Sequence, residues 1–265
     1  MKIERLGFRG GSVMGYEHAR LGINNQDAHM AGEVTLAGRR YVYGAVLDGC
    51  TGKKRQSRNE VGAVLLSAFL GSEIPFLLSA GTPLPALPDI LYQRCLGYFG
   101  QIVRSTMVGG AEQMWNFVQK HLLCTVIGFI VDAEHLVVFH AGDGAILVNS
   151  DALILDQGNR PKYLAYHLVS RDILGAAAKL LPASFETEVY ETGPMERFAV
   201  CTDGFVEPFA AGRLAPDGIW EYEPEARGGL QWWLNLRHGE GLFEDDCAIV
   251  ALFPEHGQTK EGESK

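Results

Sequence analysis

Short apolar runs that end or begin at an aspartate recur along this chain. Tyr43-Gly-Ala-Val-Leu-Asp-Gly49 and Phe198-Ala-Val-Cys-Thr-Asp-Gly204 each place a carboxylate directly after strand-forming residues. Asp245 precedes another such run at 247–252, and Asp27 lies in Asn24-Asn-Gln-Asp-Ala28. A fold that gathers these strand ends would bring several carboxylates together. Hard divalent cations prefer such oxygen ligands, so the pattern predicts a metal site.

The order of the predicted elements indicates the fold class. The predicted strands occupy 30–37, 41–47, 124–131, 136–141, 145–148, 197–202 and 247–253, and the predicted helices 59–70, 89–107 and 226–236. Asn59 is the predicted N-cap of the first helix. Strands therefore come in runs and do not alternate with helices, which is typical of an α+β fold with mainly antiparallel sheets flanked by helices. The run from 124 to 148 has the pattern of an antiparallel meander.

Domain organisation follows from the lack of a composition break. We expect one domain over 1–255 and a polar C-terminal tail over 256–265. Residues 156–194 fit no clear periodicity, and we expect them to form an insertion over the sheet.

Charge and cysteine usage exclude several classes of protein. The formal net charge is −9 and no basic stripe occurs, so we expect no nucleic-acid partner. Five cysteines without a Cys-x-x-Cys pair disfavour a disulfide framework or a zinc site and fit a reducing compartment. The first residues lack the apolar segment of a signal peptide, and no apolar run approaches the length of a membrane span. We therefore expect a cytoplasmic protein without a membrane partner. Its oligomeric state is left open.

Six motifs spread over nearly the whole chain carry a resemblance to a known family. They lie at 25–28, 46–52, 124–128, 140–145, 201–207 and 245–250. In this order and at this spacing the chain resembles the metal-dependent serine/threonine protein phosphatases of type 2C. The run Gly15-Tyr-Glu-His18 followed by Asn-Gln-Asp is similar to a divergent bacterial branch of that family.

The resemblance implies a fold, a cofactor and a set of ligands. The fold would be a four-layer α-β-β-α sandwich with two Mn²⁺ or Mg²⁺ ions in a cleft at one edge of the sheets. Asp48 would bridge both ions, and the Gly49 carbonyl would bind one of them. Asp203 and Asp245 would hold the other ion, and Asp27 would act at the first site. The implied reaction is hydrolysis of phosphoserine or phosphothreonine in proteins by an activated water.

The chain differs from the family at positions that bind or protonate the substrate. Cys50 stands where many members have a histidine proposed as general acid. Gly22 stands where many have a phosphate-binding arginine, and His18 and Arg20 are the nearby candidates for that role.

Three further differences concern the acidic residues. Asp246 replaces the usual asparagine and adds a negative charge. The stretch 118–122 has no carboxylate where a third, weaker metal often finds one, so a third ion is not expected. Asp143 lies in a tight hairpin, and we interpret it as a structural turn residue.

Two other functions were weighed, and the first of them stays open. The differences at positions 22 and 50 and the missing carboxylate of the stretch 118–122 are compatible with a catalytically weak or inactive protein that binds a phosphoprotein or a regulatory partner. A hydrolase with a serine nucleophile is disfavoured because the chain has no Gly-x-Ser-x-Gly motif.

Overall fold

A computed structural model describes residues 3, 6–51, 57–106, 109–158, 162–221 and 229–254. The strands are β1 (Leu6–Val13), β2 (Ala28–Leu36), β3 (Arg39–Leu47), β4 (Val126–Val131), β5 (His135–Ala141), β6 (Gly144–Val148), β7 (Asp151–Leu155), β8 (Glu186–Glu191), β9 (Phe198–Cys201) and β10 (Cys247–Pro254). The α-helices are α1 (Tyr16–Leu21), α2 (Glu60–Ser79), α3 (Leu87–Thr106), α4 (Ala111–His121), α5 (Arg171–Leu174), α6 (Val206–Ala210) and α7 (Gly229–Gly239).

The strands form two five-stranded sheets in which every pairing is antiparallel. The first sheet has the order β1-β10-β9-β6-β7, and the second has the order β2-β3-β4-β5-β8. Each sheet contains central strands that are buried on both faces, as the continuous apolar runs of β4 and β10 predict.

Three hydrophobic layers hold the sheets and helices together. The middle layer lies between the sheets, where the rings of Phe129 and Phe198 pack with centroids 5.2 Å apart. One outer layer joins the second sheet to α2 and α3, and the other joins the first sheet to α6 and α7. The protein is therefore a four-layer α-β-β-α sandwich, and the predicted α+β fold class is confirmed.

The predicted meander from 124 to 148 is wrong at its last step. β4 and β5 pair in the second sheet, but β6 crosses to the first sheet and pairs with β7 and β9. All three strands are apolar and almost wholly buried. Their local pattern therefore holds no information about which sheet each one joins.

The segments with weak periodicity also differ from expectation. Within 156–194 the chain forms short helical turns and β8, which pairs with β5 at the edge of the second sheet. β1, β7, α1 and α4 were not predicted either. The predicted tail 256–265 and the start of the late helix at 226–228 lie outside the described residues.

Asn59 directly precedes α2, but its side chain does not cap the helix. It is fully buried and donates hydrogen bonds to the carbonyls of Cys50 (2.7 Å) and Gln119 (3.2 Å). Its Oδ1 accepts a bond from the Leu123 N–H (3.1 Å). Asn59 therefore ties the loop after β3 to the connection between α4 and β4, and this fixes the loop that contains Asp48.

Helix α2 departs from the expectation that no apolar run reaches the length of a membrane span. Among the described helices, it alone is long and apolar enough, with a mean hydropathy of 1.9 over 18 residues. Its Leu66, Leu70 and Ile74 are fully buried in the layer beneath the second sheet. Core helices of globular proteins meet the same length and composition criteria, so this feature is weak evidence for a membrane.

Candidate metal centre in an acidic cleft

A cleft of about 760 Å³ opens where strands of both sheets end. Asp143, Asp203 and Asp245 line it together with His18 and Thr51. Its walls also contain the carboxylates of Glu17, Asp156, Glu207 and Glu244. No lysine or arginine is among the described residues of this lining. A cleft with one sign of charge and low-dielectric walls concentrates cations.

Three carboxylates meet at the base of the cleft. Asp48 follows β3, Asp143 lies between β5 and β6, and Asp203 follows β9. One oxygen from each lies within 4.8 Å of the others. The backbone of Asp48 is held on both sides, because its carbonyl accepts the Thr125 N–H (2.8 Å) and its N–H donates to the Thr125 hydroxyl (3.3 Å). Two predicted ligands, Asp48 and Asp203, are thus brought together.

Asp27 adds a fourth carboxylate, and unlike the other three it is almost fully buried. Its side chain is 8% exposed, and its Oδ2 accepts a hydrogen bond from the Thr202 hydroxyl (2.5 Å). Its Oδ1 is shielded from solvent and has no hydrogen-bond partner among the described residues. Buried polar atoms normally have a partner, so an orphaned oxygen indicates a missing ion or water.

The electrostatics of these groups favour a cation. Burial raises the pKa of Asp27 and of Asp48 well above the usual value, and neighbouring aspartates raise both further. Burial, followed by the charge of Asp245, raises the pKa of Asp203 to about 7. Such shifts mean that burial, and then repulsion between the carboxylates, destabilises the ionised forms when no counter-charge is bound. The residues therefore fit hard divalent cations, which would supply that counter-charge.

Gly49 is buried beside Asp48, and its N–H donates to the Gln26 carbonyl (3.1 Å). A Cβ at this position would lie 2.8 Å from the backbone of Asn59, so the close approach requires glycine. A metal bond to the Gly49 carbonyl stays a prediction.

Asp245 lines the cleft but does not join the group around Asp48. One of its oxygens lies within 4.8 Å of ligand atoms of His18 and Asp246. Its Oδ1 accepts the Asp246 N–H (2.8 Å). Among the neighbouring charges, Asp245 still contributes most to the raised pKa of Asp203. The prediction that Asp203 and Asp245 share an ion therefore stays open.

Asp246 is a structural centre that the sequence did not reveal. Its carboxylate is buried and accepts hydrogen bonds from the Gly15 N–H (2.7 Å), the Gln26 N–H (2.6 Å) and Nδ1 of His18 (2.7 Å). These bonds tie the start of β10 to α1 and to the segment that contains Asp27. The hydrogen bond with Asp246 raises the pKa of His18.

The two candidates for binding substrate phosphate are placed differently. His18 lines the cleft, but Nδ1 bonds Asp246 and Nε2 lies 3.1 Å from the Thr51 hydroxyl, so both ring nitrogens are engaged. Arg20 is not part of the described cleft lining. Its side chain is 58% exposed, and its guanidinium lies 3.6 Å from Glu17.

The sequence of this chain matches the family model described as protein phosphatase 2C over residues 14–223. That match covers most of the chain and includes Asp48, Asp143 and Asp203. The chain belongs to the protein phosphatase 2C family. A search of curated protein sequences finds no match.

Solved structures of phosphatases share the fold of this chain. The serine/threonine phosphatase Stp1 from Staphylococcus aureus matches with a TM-score of 0.60 and 11% identity, over 95% of this chain and 96% of that one. A serine-threonine phosphatase 2C from Toxoplasma gondii matches with a TM-score of 0.55 and 12% identity, over 94% and 95%. The catalytic domain of PstP, solved with two manganese ions, gives 0.52 and 16%, over 94% and 97%. At these identities the likeness shows the fold alone.

Within this phosphatase 2C protein, sequence reasoning missed the placement of Asp143. The sequence predicts that Asp143 is a structural turn residue, yet its carboxylate lies in the group with Asp48 and Asp203. The flanking glycines at 142 and 144 were the available signal, because they mark a turn held against other backbone. The role of Asp246 left no signal in the sequence, since its three donors come from distant segments.

Proposed function

We propose that this protein is a metal-dependent phosphatase that hydrolyses phosphoserine or phosphothreonine in proteins. The observation that carries the proposal is the convergence of Asp48 and Asp203 at the base of the cleft, beside the orphaned oxygen of Asp27. Membership of the protein phosphatase 2C family supports the reaction class. The two manganese ions of the PstP structure support the choice of metal.

Asp48, Asp203, Asp245 and Asp27 would hold the ions, with the Gly49 carbonyl as a further ligand. Two Mn²⁺ or Mg²⁺ ions, when bound, lower the pKa of water and neutralise charge on phosphoryl oxygens. The Thr202 hydroxyl orients Asp27 by bonding Oδ2, which leaves Oδ1 available. Asn59 and Thr125 hold the loop and backbone that present Asp48.

The charge of the cleft makes substrate binding depend on the metal as well. A phosphate dianion would meet carboxylates on the walls, and the described lining offers no lysine or arginine to attract it. His18 is engaged by Asp246 and Thr51, so it is not a free donor for phosphate. We therefore infer that bound ions are needed both to admit the phosphorylated residue and to activate water.

Metal removal and replacement test this function directly. Protein stripped with EDTA should not hydrolyse p-nitrophenyl phosphate or a phosphothreonine peptide, and added Mn²⁺ should restore both reactions. Stripped protein kept in the same buffer without Mn²⁺ is the control for slow inactivation. Activity that survives EDTA would contradict the proposal.

A calorimetric titration with Mn²⁺ distinguishes the proposed function from the non-catalytic alternative. Calorimetry with Mn²⁺ should show binding in protein that also turns over phosphopeptide. Binding of Mn²⁺ without hydrolysis of any phosphopeptide would instead favour a non-catalytic protein that binds a phosphoprotein or a regulatory partner.

A further inference from the structure

Position 50 offers the cleft no side chain that could protonate the leaving oxygen of a substrate. Hydrolysis of phosphoserine or phosphothreonine releases an alkoxide, which needs a proton as the P–O bond breaks. Cys50 is not among the described residues that line the cleft. Its backbone is fixed in that position, because its N–H donates to the Leu123 carbonyl (2.9 Å). A proton donor for the leaving oxygen is therefore to be sought elsewhere on the cleft wall.

The next residue along the chain, Thr51, presents a hydroxyl to the cleft. Thr51 is exposed and lines the cleft together with Asp203. Its Oγ1 lies 2.8 Å from Oε1 of Gln26 and 3.1 Å from Nε2 of His18. Both of these partners are buried. An exposed hydroxyl is thus held in place by two fixed side chains.

The direction of these hydrogen bonds follows from the protons that each side chain carries. Nε2 of Gln26 points to Oγ of Ser57 (3.3 Å) and to Oε2 of Glu60 (3.5 Å). Oε1 of Gln26 therefore accepts a hydrogen bond from the Thr51 hydroxyl. A hydroxyl has a single proton, so Oγ1 of Thr51 accepts the bond that joins it to Nε2 of His18.

His18 consequently carries a proton on both ring nitrogens. Its Nδ1 lies 2.7 Å from Oδ2 of Asp246, and an ionised carboxylate can only accept. The hydrogen bond with Asp246 raises the pKa of His18, although burial opposes this effect. The nearby charges of Asp245 and Glu17 raise it further. The result is a chain of hydrogen bonds in which a buried imidazolium donates to a hydroxyl at the cleft surface.

We propose that Thr51 and His18 form a proton relay that protonates the leaving oxygen of the phosphorylated substrate. As the P–O bond breaks, its electron pair goes to the leaving oxygen, which takes the proton of the Thr51 hydroxyl. Oγ1 of Thr51 takes the Nε2 proton of His18 in the same step, while the Nδ1 proton stays on the bond to Asp246. The proton that the attacking water releases to solvent later restores Nε2, so the reaction consumes only water.

This inference rests on the proposed phosphatase function and assigns separate roles to the two residues. Thr51 is the catalytic residue, because its hydroxyl meets the leaving oxygen. His18 is a positioning residue that acts through Thr51, since both of its ring nitrogens are engaged. The relay fills the place that Cys50 leaves open, and it does so with groups from α1 and from the loop after β3.

The test compares two substrates that differ in their need for an acid. p-Nitrophenolate leaves as a stable anion, whereas the alkoxide of a phosphothreonine peptide needs a proton. Thr51→Val keeps the shape of the side chain and removes the hydroxyl. With saturating Mn²⁺, its kcat should fall at least roughly tenfold more on the peptide than on p-nitrophenyl phosphate. Thr51→Ser is the matched control, because it keeps a hydroxyl and should retain the wild-type ratio of the two kcat values.

A second measurement reports the state of His18 without turnover. Long-range ¹H–¹⁵N NMR of the Mg²⁺-loaded wild-type protein at neutral pH should show protons on both ring nitrogens of His18. A neutral ring would overturn the relay, because Nε2 would then have no proton to give to Thr51.

The kinetic outcomes separate the relay from the function on which it rests. Wild type that is active on both substrates, with equal losses or no loss in Thr51→Val, would refute the relay alone. Wild type that hydrolyses neither substrate with Mn²⁺ would refute the proposed function and the relay with it. If Thr51→Val does not fold, as judged by circular dichroism, Thr51→Ala is measured in its place.

Discussion

Asp246 and Asp143 lie near the same cleft but are satisfied in opposite ways. The carboxylate of Asp246 is 2% exposed and accepts three hydrogen bonds, two from backbone N–H groups and one from His18. Oδ1 of Asp143 has no partner within the described part of the chain, and its neighbours are other carboxylates. The same residue type therefore serves the fold at one position and leaves room for a cation at the other.

The number of donors decides between these two roles. A buried carboxylate surrounded by N–H groups is compensated within the protein, whereas one surrounded by carboxylates needs an external charge. The same donors favour an aspartate over an asparagine at position 246. An asparagine NH₂ group is itself a donor and would face one of the three donors that converge on this side chain. The Asp246 carboxylate and the His18 ring are thus complementary, as hydrogen-bond acceptor and donor.

The largest expected effect is on catalysis at the group of neighbouring carboxylates, Asp48, Asp143 and Asp203. Asp48→Asn should lower phosphatase activity by roughly 10³-fold or more, because it removes the charge at the centre of the proposed metal site. Asp246→Asn should retain far more activity when assayed at a temperature where both variants are folded. Initial rates on a phosphothreonine peptide with saturating Mn²⁺ measure the difference. Similar losses of activity in the two variants would show that Asp48 and Asp246 do not have separate roles as metal ligand and structural hydrogen-bond acceptor.

The next effect is on the stability of the fold. Here Asp246 should matter more than Asp143. Asp246→Ala leaves two N–H groups and His18 without an acceptor, so the free energy of unfolding should fall by about 3–5 kcal/mol. Asp143→Ala removes a repelled charge, so metal-free protein should lose little stability or gain some. Urea denaturation in EDTA measures both variants. A loss at Asp143 as large as that at Asp246 would contradict the structural distinction.

A smaller effect concerns pH and follows from the raised pKa values. The folded pKa of Asp203 is about 7 against 3.8 for the unfolded chain, so the folded state holds its proton more tightly. Its contribution to stability is present below pH 3.8 and is lost as the pH rises to about 7. The raised pKa of His18 acts in the same direction above 6.5.

The melting temperature of metal-free protein should therefore fall between about pH 5 and about pH 7.5. Saturating Mn²⁺ should reduce or reverse this fall, because the ions bind the ionised carboxylates. Differential scanning calorimetry with and without Mn²⁺ checks the sign. A metal-free protein that becomes more stable over this range would show that neither burial nor repulsion destabilises the ionised aspartates.

The smallest effect is expected at Arg20. Because its side chain is exposed and lies against Glu17, Arg20→Ala should change KM for a phosphopeptide by less than about twofold. Steady-state kinetics at fixed Mn²⁺ measure this. A tenfold rise in KM would restore Arg20 as a phosphate ligand.

The sequence by itself determined the strand-end aspartates, the antiparallel α+β class and the resemblance to the phosphatase family. Local patterns suffice for these, because a buried strand and a following Asp-Gly turn are written in adjacent residues. Thus Asp48 and Asp203 were placed correctly at the ends of β3 and β9.

Only the tertiary structure decided that β6 joins the first sheet, that Asp143 meets Asp48 and Asp203, and that Asp246 bonds His18. Each of these depends on contacts between segments far apart in the chain. An aspartate has the same local signature whether its oxygens face N–H groups or other carboxylates, so only the arrangement of its neighbours in space separates scaffold from metal ligand.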